Sequence, residues 1–385
     1  MNGKRTGHAS IRGHLAYRRM CIEVESPEQF GYGNIEHNLT ESSMTDTIWD
    51  DLDLDLRGLV LAYGDHLGNP ELRAAIASEG EGLQPDHVLT TPGAAAALFI
   101  VNTALLHKDS HIIVAAPNYI TNIETPRALG ANVTPLPLHF EEQWRVDVNK
   151  LAKLIRPETT LVSLTSPHNP TGAVIPEEDL REIIALVEEN NCVLLFDETY
   201  RDMAFDRRTP LAASLSPRAI SVASLSKTYG LPGIRTGWLI NKDPQLMETF
   251  LAAKEQIFIC GSVVDEEIAA RFMAKKEVFL PKIQAHIQTN FEVVRAWIAQ
   301  NEAFEWVEPQ GGAVCFPRVK ADLPIDVDLF YKTLNERYKT FVGPGHWFEM
   351  DRRYMRIGFG WPSKEELAGG LTCITEALKH AQKGS

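Results

Sequence analysis

Between about residue 70 and residue 240, helical and strand-like patterns alternate, and no other feature limits the possible folds of this chain so strongly. In 'ELRAAIASEG' and 'EDLREIIALVEENN' apolar residues return with helical period, whereas 'HIIVAAP' and 'CVLLFDE' are short apolar runs of strand length. Such alternation predicts an α/β fold with a mostly parallel sheet flanked by helices. Runs such as 'TLVSLT' and 'CVLLF' suit strands buried on both faces. Open sheets of this kind bind ligands beyond the C-terminal ends of their strands, so the polar residues just after those runs matter most.

From about residue 280 a long helical stretch, 'IQAHIQTNFEVVRAWIAQ', leads into mixed strands and helices ending near residue 381. We therefore expect three parts: residues 1–55 as an N-terminal arm and part of a small domain, 56–290 as a large domain, and 291–385 as a smaller α+β domain. The acidic run 'DDLDLDL' (Asp50 to Leu56) alternates like a strand and reads best as a solvated face.

With 385 residues the chain can bury a large core without disulfide or metal staples. Its 38 Lys+Arg against 51 Asp+Glu give a net charge of -13, which disfavours nucleic acid and anionic membranes as partners. Cys21, Cys192, Cys260, Cys315 and Cys373 are odd in number and widely spaced, suggesting neither a disulfide framework nor a zinc site. A reducing cytoplasm, no metal and no membrane anchor are expected. Residues 1–20 carry Lys4, Arg5, Arg12, Arg18 and Arg19 and no acid. A transit peptide has that composition, but so does a solvated tail or an arm over a partner subunit, the plainer account.

The strongest chemical signal is 'SLSKTYGLPGIRTGW'. It presents Lys227 among small residues, as an imine-forming lysine requires, with serine hydroxyls before it and Arg235 eight residues later to hold a phosphate. The segment resembles the Schiff-base lysine motif of the class I/II aminotransferases, pyridoxal 5'-phosphate (PLP) enzymes of fold type I. 'SPHNPTG' and 'LLFDETY' supply Asn169, Asp197 and Tyr200 at spacings that also resemble that family: 28 residues separate Asn169 from Asp197 (197 − 169), and 30 separate Asp197 from Lys227 (227 − 197). Four motifs in one order make coincidence a poor explanation, although each residue alone has a bland reading: a helix cap for Asp197, core aromatics for Tyr119 and Tyr200, a turn for Asn169, an ion pair for Arg356.

The resemblance, over about residues 60 to 380, implies a role for each residue. Lys227 would hold the cofactor aldehyde as an imine and, once displaced, remove the substrate Cα proton. Asp197 would keep the pyridine nitrogen protonated, and Tyr200 and Asn169 would bond the ring's phenolate oxygen, Asn169 also facing the substrate. In 'LTTPGAAAAL', Gly93 and the amides of Ala94 and Ala95 would receive the phosphate together with Ser224 and Arg235. Tyr119 would stack on the pyridine, Arg356 of 'YMRIGF' would clamp the substrate carboxylate, and Tyr63 would reach the phosphate of a partner subunit, which implies a homodimer. Ser262 is a further candidate for that reach.

Some details depart from the family pattern. Alanines replace the hydroxyl or amide residues of the phosphate turn, and 'IEHNLTESS' stands where a Gly- and Pro-containing loop is usual, so the substrate pocket is expected to be rebuilt there. The segments 'PQGGAVCFPRV', 'FVGPGHWF' and 'YMRIGFGWPSKEELAGGL' look more like the capreomycidine synthases, family members that dehydrate and cyclise a hydroxylated arginine, than like housekeeping transaminases. A guanidinium substrate would call for carboxylates at the pocket mouth, with Glu36, Glu41 and Asp65 as candidates and His37 as a proton carrier. The alternatives are an ordinary amino acid aminotransferase and, more remotely, a ligand-sensing regulator on the same fold. The latter usually carries a DNA-binding domain in front, where this chain has only about 55 residues.

Overall fold

The computed structural model describes residues 15–206 and 208–383; Lys4, Arg5 and Arg12 of the basic tail lie outside them, whereas Arg18 and Arg19 are exposed. After β1 (His37–Leu39), which belongs to a smaller sheet, seven strands form the large sheet: β2 (Val88–Thr91), β3 (His111–Ala116), β4 (Asn132–Pro137), β5 (Thr159–Thr165), β6 (Val193–Asp197), β7 (Ala219–Ser224) and β8 (Gly237–Ile240). Their order is β2-β8-β7-β6-β5-β3-β4. Neighbours from β7 to β4 pair in parallel, and β8 runs antiparallel to both β7 and β2.

The apolar runs form strands because both faces of the sheet are covered. Ile112 and Val114 face one way, with Ile100, Val101 and Phe250 of the helices Ala94–Leu105 and Pro244–Ile257 in the same buried cluster. Ile113 and Ala115 face the other way, towards Leu180, Ile183 and Val187 of the helix Glu177–Glu189. That alternation within one run is the period of two of a pleated strand.

The smaller sheet has the order β1-β12-β13-β10, from β10 (Val314–Cys315), β12 (Thr340–Pro344) and β13 (Met355–Gly358); β9 (Phe304–Glu305) and β11 (Arg318–Val319) form a separate ribbon. β1 lies parallel to β12, His37 opposite Thr340, so an N-terminal segment enters a sheet otherwise made of C-terminal residues. The helices Lys276–Gln300 and Lys364–Lys383 close its core, which gathers Leu39, Phe291, Val294, Ile357, Phe359 and Ile374.

The acidic run is a solvated face: Asp50, Asp51, Asp53 and Asp55 are exposed. The alternating run from Asp50 to Leu56 is not a strand: Trp49–Leu52 is a short 3₁₀ helix, and Asp53 turns the chain with φ +48°. An alternating pattern makes a strand only where a neighbouring edge is free to pair; here Leu52 is instead buried against the helix Pro70–Ala77. Among the described residues, no helix is long and apolar enough to cross a membrane.

Candidate active site

Because β2, β3, β5, β6 and β7 run in one direction, their C-terminal ends share one edge of the large sheet, and β8 starts at that edge. Five connections therefore deliver Gly93, Tyr119, Asn169, Asp197 and Lys227 to one place, with Arg235 arriving just before β8. They surround a cavity of about 260 Å³ whose wall includes Ala94, Ala95, Tyr119, Asn169, Asp197 and Tyr200, together with Ser224, Lys227, Arg235 and Arg356.

At one end of the cavity the backbone forms an anion cradle. The helix Ala94–Leu105 starts at Gly93 with no side chain capping its amides, so the positive end of the helix is available to a ligand. Gly93 has φ +80°, and a Cβ there would fall 2.5 Å from Arg235 Nη2. At Gly237 a Cβ would meet the carbonyl carbon of Gly93 at 2.5 Å and Ala94 N at 2.6 Å, so two glycines let the helix start and the guanidinium approach each other. Arg235 itself sits in the left-handed region at φ +42°, which costs a non-glycine residue about 1 kcal/mol or more. Its Nη1 donates to Pro232 O at 2.7 Å and more weakly to Ser226 Oγ at 3.4 Å.

Asp197 ends β6, buried, and its Oδ1 accepts from Thr199 N at 3.0 Å and Thr199 Oγ1 at 2.6 Å. Burial raises its pKa from the ordinary carboxylate value, and the two Thr199 bonds oppose that rise. Burial likewise raises the Tyr200 phenol, against a hydrogen bond with Ser42 and the charge of Arg356, so the hydroxyl stays protonated and able to donate. The loops carrying these residues are tied together: Thr228 Oγ1 donates to Thr199 O at 2.9 Å, Met44 N donates to Lys227 O at 2.8 Å, and the Tyr229 hydroxyl donates to the buried Asp202.

Arg356, on β13, is buried; its Nη1 donates to Asn169 Oδ1 at 3.0 Å and its Nη2 to Thr40 O at 2.6 Å, while Nε has no partner. Both fixed bonds go to neutral oxygens, so the guanidinium is oriented and keeps hydrogens for an anion in the cavity. Asn169, its oxygen occupied, has its amide nitrogen left as a donor. These groups suit a pyridoxal phosphate: an uncapped helix start with arginine and serines for the phosphate, a primary amine for the aldehyde, a buried carboxylate for the ring nitrogen, and phenol and amide donors for the ring oxygen.

The chain as a whole points the same way. Residues 32–371 match the family model for aminotransferase class I and II. The chain belongs to the class I and II aminotransferases. Within that family it is 32% identical over 334 residues to capreomycidine synthase of Streptomyces vinaceus, covering 86% of this chain and 84% of that one. It is 34% identical, again over 334 residues, to an arginine–pyruvate transaminase of Pseudomonas aeruginosa, covering 83% of this chain and 84% of that one. Among solved structures, the PLP-dependent cyclase OrfR superposes with a TM-score of 0.87 at 26% identity, over 97% of this chain and 100% of that one. A PLP-dependent aminotransferase from Streptococcus suis gives 0.86 at 27% identity, over 94% and 98%. This aminotransferase-family chain is thus a PLP-dependent enzyme of fold type I.

The aminotransferase cavity takes Glu41 of the segment 35–43 but not the other acids expected from sequence. Glu36 is exposed and precedes β1. His37 is held by the parallel β1–β12 pairing against the helix Lys364–Lys383, where a Cβ on Gly369 would come within 2.6 Å of its ring. Asp65 pairs with Arg73 at 3.3 Å, outside the cavity. Tyr63 is 83% exposed, and Ser262 caps the helix Val263–Ala274 by accepting from Asp265 N at 3.3 Å. The motif reading missed Thr199, Ser42, Ser226 and Trp347, and also Glu23 and Ser26 at the mouth. Thr199 of 'LLFDETY', Ser42 of 'IEHNLTESS', Ser226 of 'SLSKTYGLPGIRTGW' and Trp347 of 'FVGPGHWF' lie in segments singled out from the sequence without being named there, whereas Glu23 and Ser26 lie in none.

Behind Asp197, the fully buried Glu198 accepts from Ala212 N at 3.2 Å, and burial pushes its pKa up to about 7 against bonds from Ser221 and Ala212 and the charge of Arg201. Raised above its unfolded value of 4.5, this carboxyl binds more protons folded than unfolded between about pH 4.5 and 7, so stability falls as pH rises through that window. Glu198→Gln, which keeps the acceptor and cannot ionise, is expected to gain up to about 3 kcal/mol over the wild type at pH 8 and nothing at pH 4.5. Thermal unfolding of both proteins across that range checks this; parallel curves would refute it.

Proposed function

We propose that this enzyme acts at Cα of an amino acid with a guanidinium side chain, and that its reaction is the dehydration and cyclisation of a hydroxylated arginine. The observation that carries the reading is Glu41, brought into the cavity by the rebuilt loop together with the buried Arg356, so that one chamber offers a cation for a carboxylate and a carboxylate for a guanidinium. Two relatives add support: one is named an arginine–pyruvate transaminase, and the other a capreomycidine synthase, the group that the C-terminal segments resemble.

Pyridoxal phosphate, when bound, supplies the electron sink for the charge left at Cα. In our reading Arg356 binds the substrate carboxylate and so fixes which Cα bond faces Lys227. The Lys227 amine takes the Cα proton. Asp197 holds a positive charge at the ring nitrogen, Tyr200 and Asn169 donate to the ring oxygen, and Arg235, Ser224 and the amides of Ala94 and Ala95 hold the phosphate. After the shared deprotonation the two candidate reactions part. A cyclase breaks the C–O bond of a side-chain hydroxyl, releases water and forms a C–N bond from the guanidine; a transaminase releases a 2-oxo acid. The second reading is kept because the arginine–pyruvate transaminase is no less similar in sequence.

Incubating the enzyme with hydroxylated arginines should give a product lighter by one water. A 2-oxo acid as the sole product, or brisk transamination of common amino acids beside no turnover of these, would reject the cyclase. The same reading makes the enzyme a homodimer with shared sites. Tyr63 is exposed on a segment where a Cβ at Gly64 would lie 3.7 Å from Val263, so Tyr63 and Ser262 occupy adjacent stretches of surface.

A further inference from the structure

The segment Cys21–Phe30 lies over the cavity mouth, where Ile22, Glu23, Ser26 and Pro27 contribute to its wall. Within the single helical turn Cys21–Glu25, residues two apart stand about 200° apart around the axis, so Glu23 and Glu25 are aimed to different sides. Glu23 lines the cavity. Glu25 Oε2 instead accepts from Trp347 Nε1 at 2.7 Å and pairs with His346 Nε2 at 2.7 Å. Trp347 is itself part of the cavity wall, and Ile22 packs against both clusters that cover the large sheet. The turn is thus pinned by one carboxylate to His346 and Trp347 and by Ile22 to the clusters of the large sheet, with the other carboxylate presented to the cavity.

The cavity wall carries charges of both signs. Its cations, Lys227, Arg235 and Arg356, belong to the groups that suit the cofactor and a substrate carboxylate. Its carboxylates are Asp197 at the end of β6 and the pair Glu23 and Glu41. Glu23 is close enough to Tyr119 to hinder ionisation of that phenol, though burial hinders it more, and Glu41 is close enough to Arg356 to favour its charged form. Arg356 lines the same chamber, buried and oriented by Asn169 and Thr40.

We propose that Glu23 is a specificity-determining residue, holding together with Glu41 the cationic end of the substrate side chain, and that Glu25 is the positioning residue that fixes the turn over the cavity through His346 and Trp347. This rests on the reading above, that an amino acid reacts here at Cα with its carboxylate on Arg356. No step of the chemistry is asked of Glu23. A guanidinium takes two carboxylates readily, because its planar donors face in more than one direction.

Exchange of the Cα proton of L-arginine and of L-norleucine for solvent deuterium, followed by NMR on the cofactor-loaded enzyme, tests this at the step that cyclase and transaminase share. Glu23→Gln should lower the arginine-to-norleucine ratio of kcat/KM about 10- to 100-fold, the range of one lost charge-assisted bond, chiefly through KM for arginine. Glu25→Gln should lower the ratio in the same direction and speed amide hydrogen exchange in residues 21–30, which arginine slows in the wild type. A ratio within about threefold of wild type in Glu23→Gln overturns the specificity role and leaves the Cα reading standing. A wild-type enzyme that exchanges neither amino acid rejects the Cα reading, and the proposal with it.

Discussion

Replacing Lys227 by alanine is expected to lower turnover by at least about a thousandfold, since one amine serves both as covalent anchor and as base in our reading. The loss should be chemical rather than structural. Lys227 sits between Ser226 and Thr228 in a loop that is also tied through other atoms: Thr228 bonds Thr199 O, and the backbone oxygen of Lys227 accepts from Met44 N. Lys227→Ala should therefore melt within a few degrees of wild type. The phosphate cradle of Arg235, Ser224 and the start of the helix Ala94–Leu105 also lies on other residues, so the variant should still take up pyridoxal phosphate, without the absorbance of the lysine-linked form. Added methylamine should restore part of the Cα-proton exchange by supplying a base. Turnover within about tenfold of wild type would mean that the amine at 227 is not the base.

The distance between what could be read from residues and what could not has a physical origin. Strands such as Thr159–Thr165 and Val193–Asp197 were legible because a strand buried on both faces must be apolar throughout, and the residues after it are then singled out by topology. Asn169, Asp197 and Lys227 are all of that kind. Glu23 is not: it sits on a five-residue helix with no buried residue of its own, too short to show any period, and that helix is held over the cavity by contacts with distant parts of the chain, among them Glu25 with Trp347. Glu36 and His37 show the same gap from the other side. Their segment, residues 35–43, gives the cavity Thr40, Glu41 and Ser42; but the register of β1 on β12, set by contacts some 300 residues apart in sequence, decides which of its residues face inward. The alternating aspartates from Asp50 keep the solvated face expected of them without forming a strand, because no partner edge meets them.

Asp197 supplies the second large effect, and its sign follows from the environment. A carboxylate this buried is expensive to ionise: burial raises its pKa, while the two Thr199 bonds at 2.6 and 3.0 Å lower it by stabilising the anion. A protonated pyridine brought against it would add an opposite charge in the same buried place, favouring the carboxylate anion and the cationic ring together. Asp197→Asn keeps the shape and an oxygen for Thr199 but cannot supply the charge, so the ring nitrogen should lose its proton. Turnover should then fall at least about a hundredfold, by analogy with removal of one preorganised electrostatic partner. A cofactor analogue methylated on the ring nitrogen, permanently positive, should recover a large part of the loss in Asp197→Asn while doing little for the wild type. Thr199→Val, which removes the 2.6 Å bond and keeps the amide, should weaken activity by a smaller factor, because the anion it supports becomes costlier. If Asp197→Asn exchanged Cα protons at the wild-type rate, or if the methylated analogue gave no recovery, the charge at the end of β6 would have no part in the chemistry, and Asp197 would be left with the one role its bonds to Thr199 already give it, that of fixing the turn after the strand.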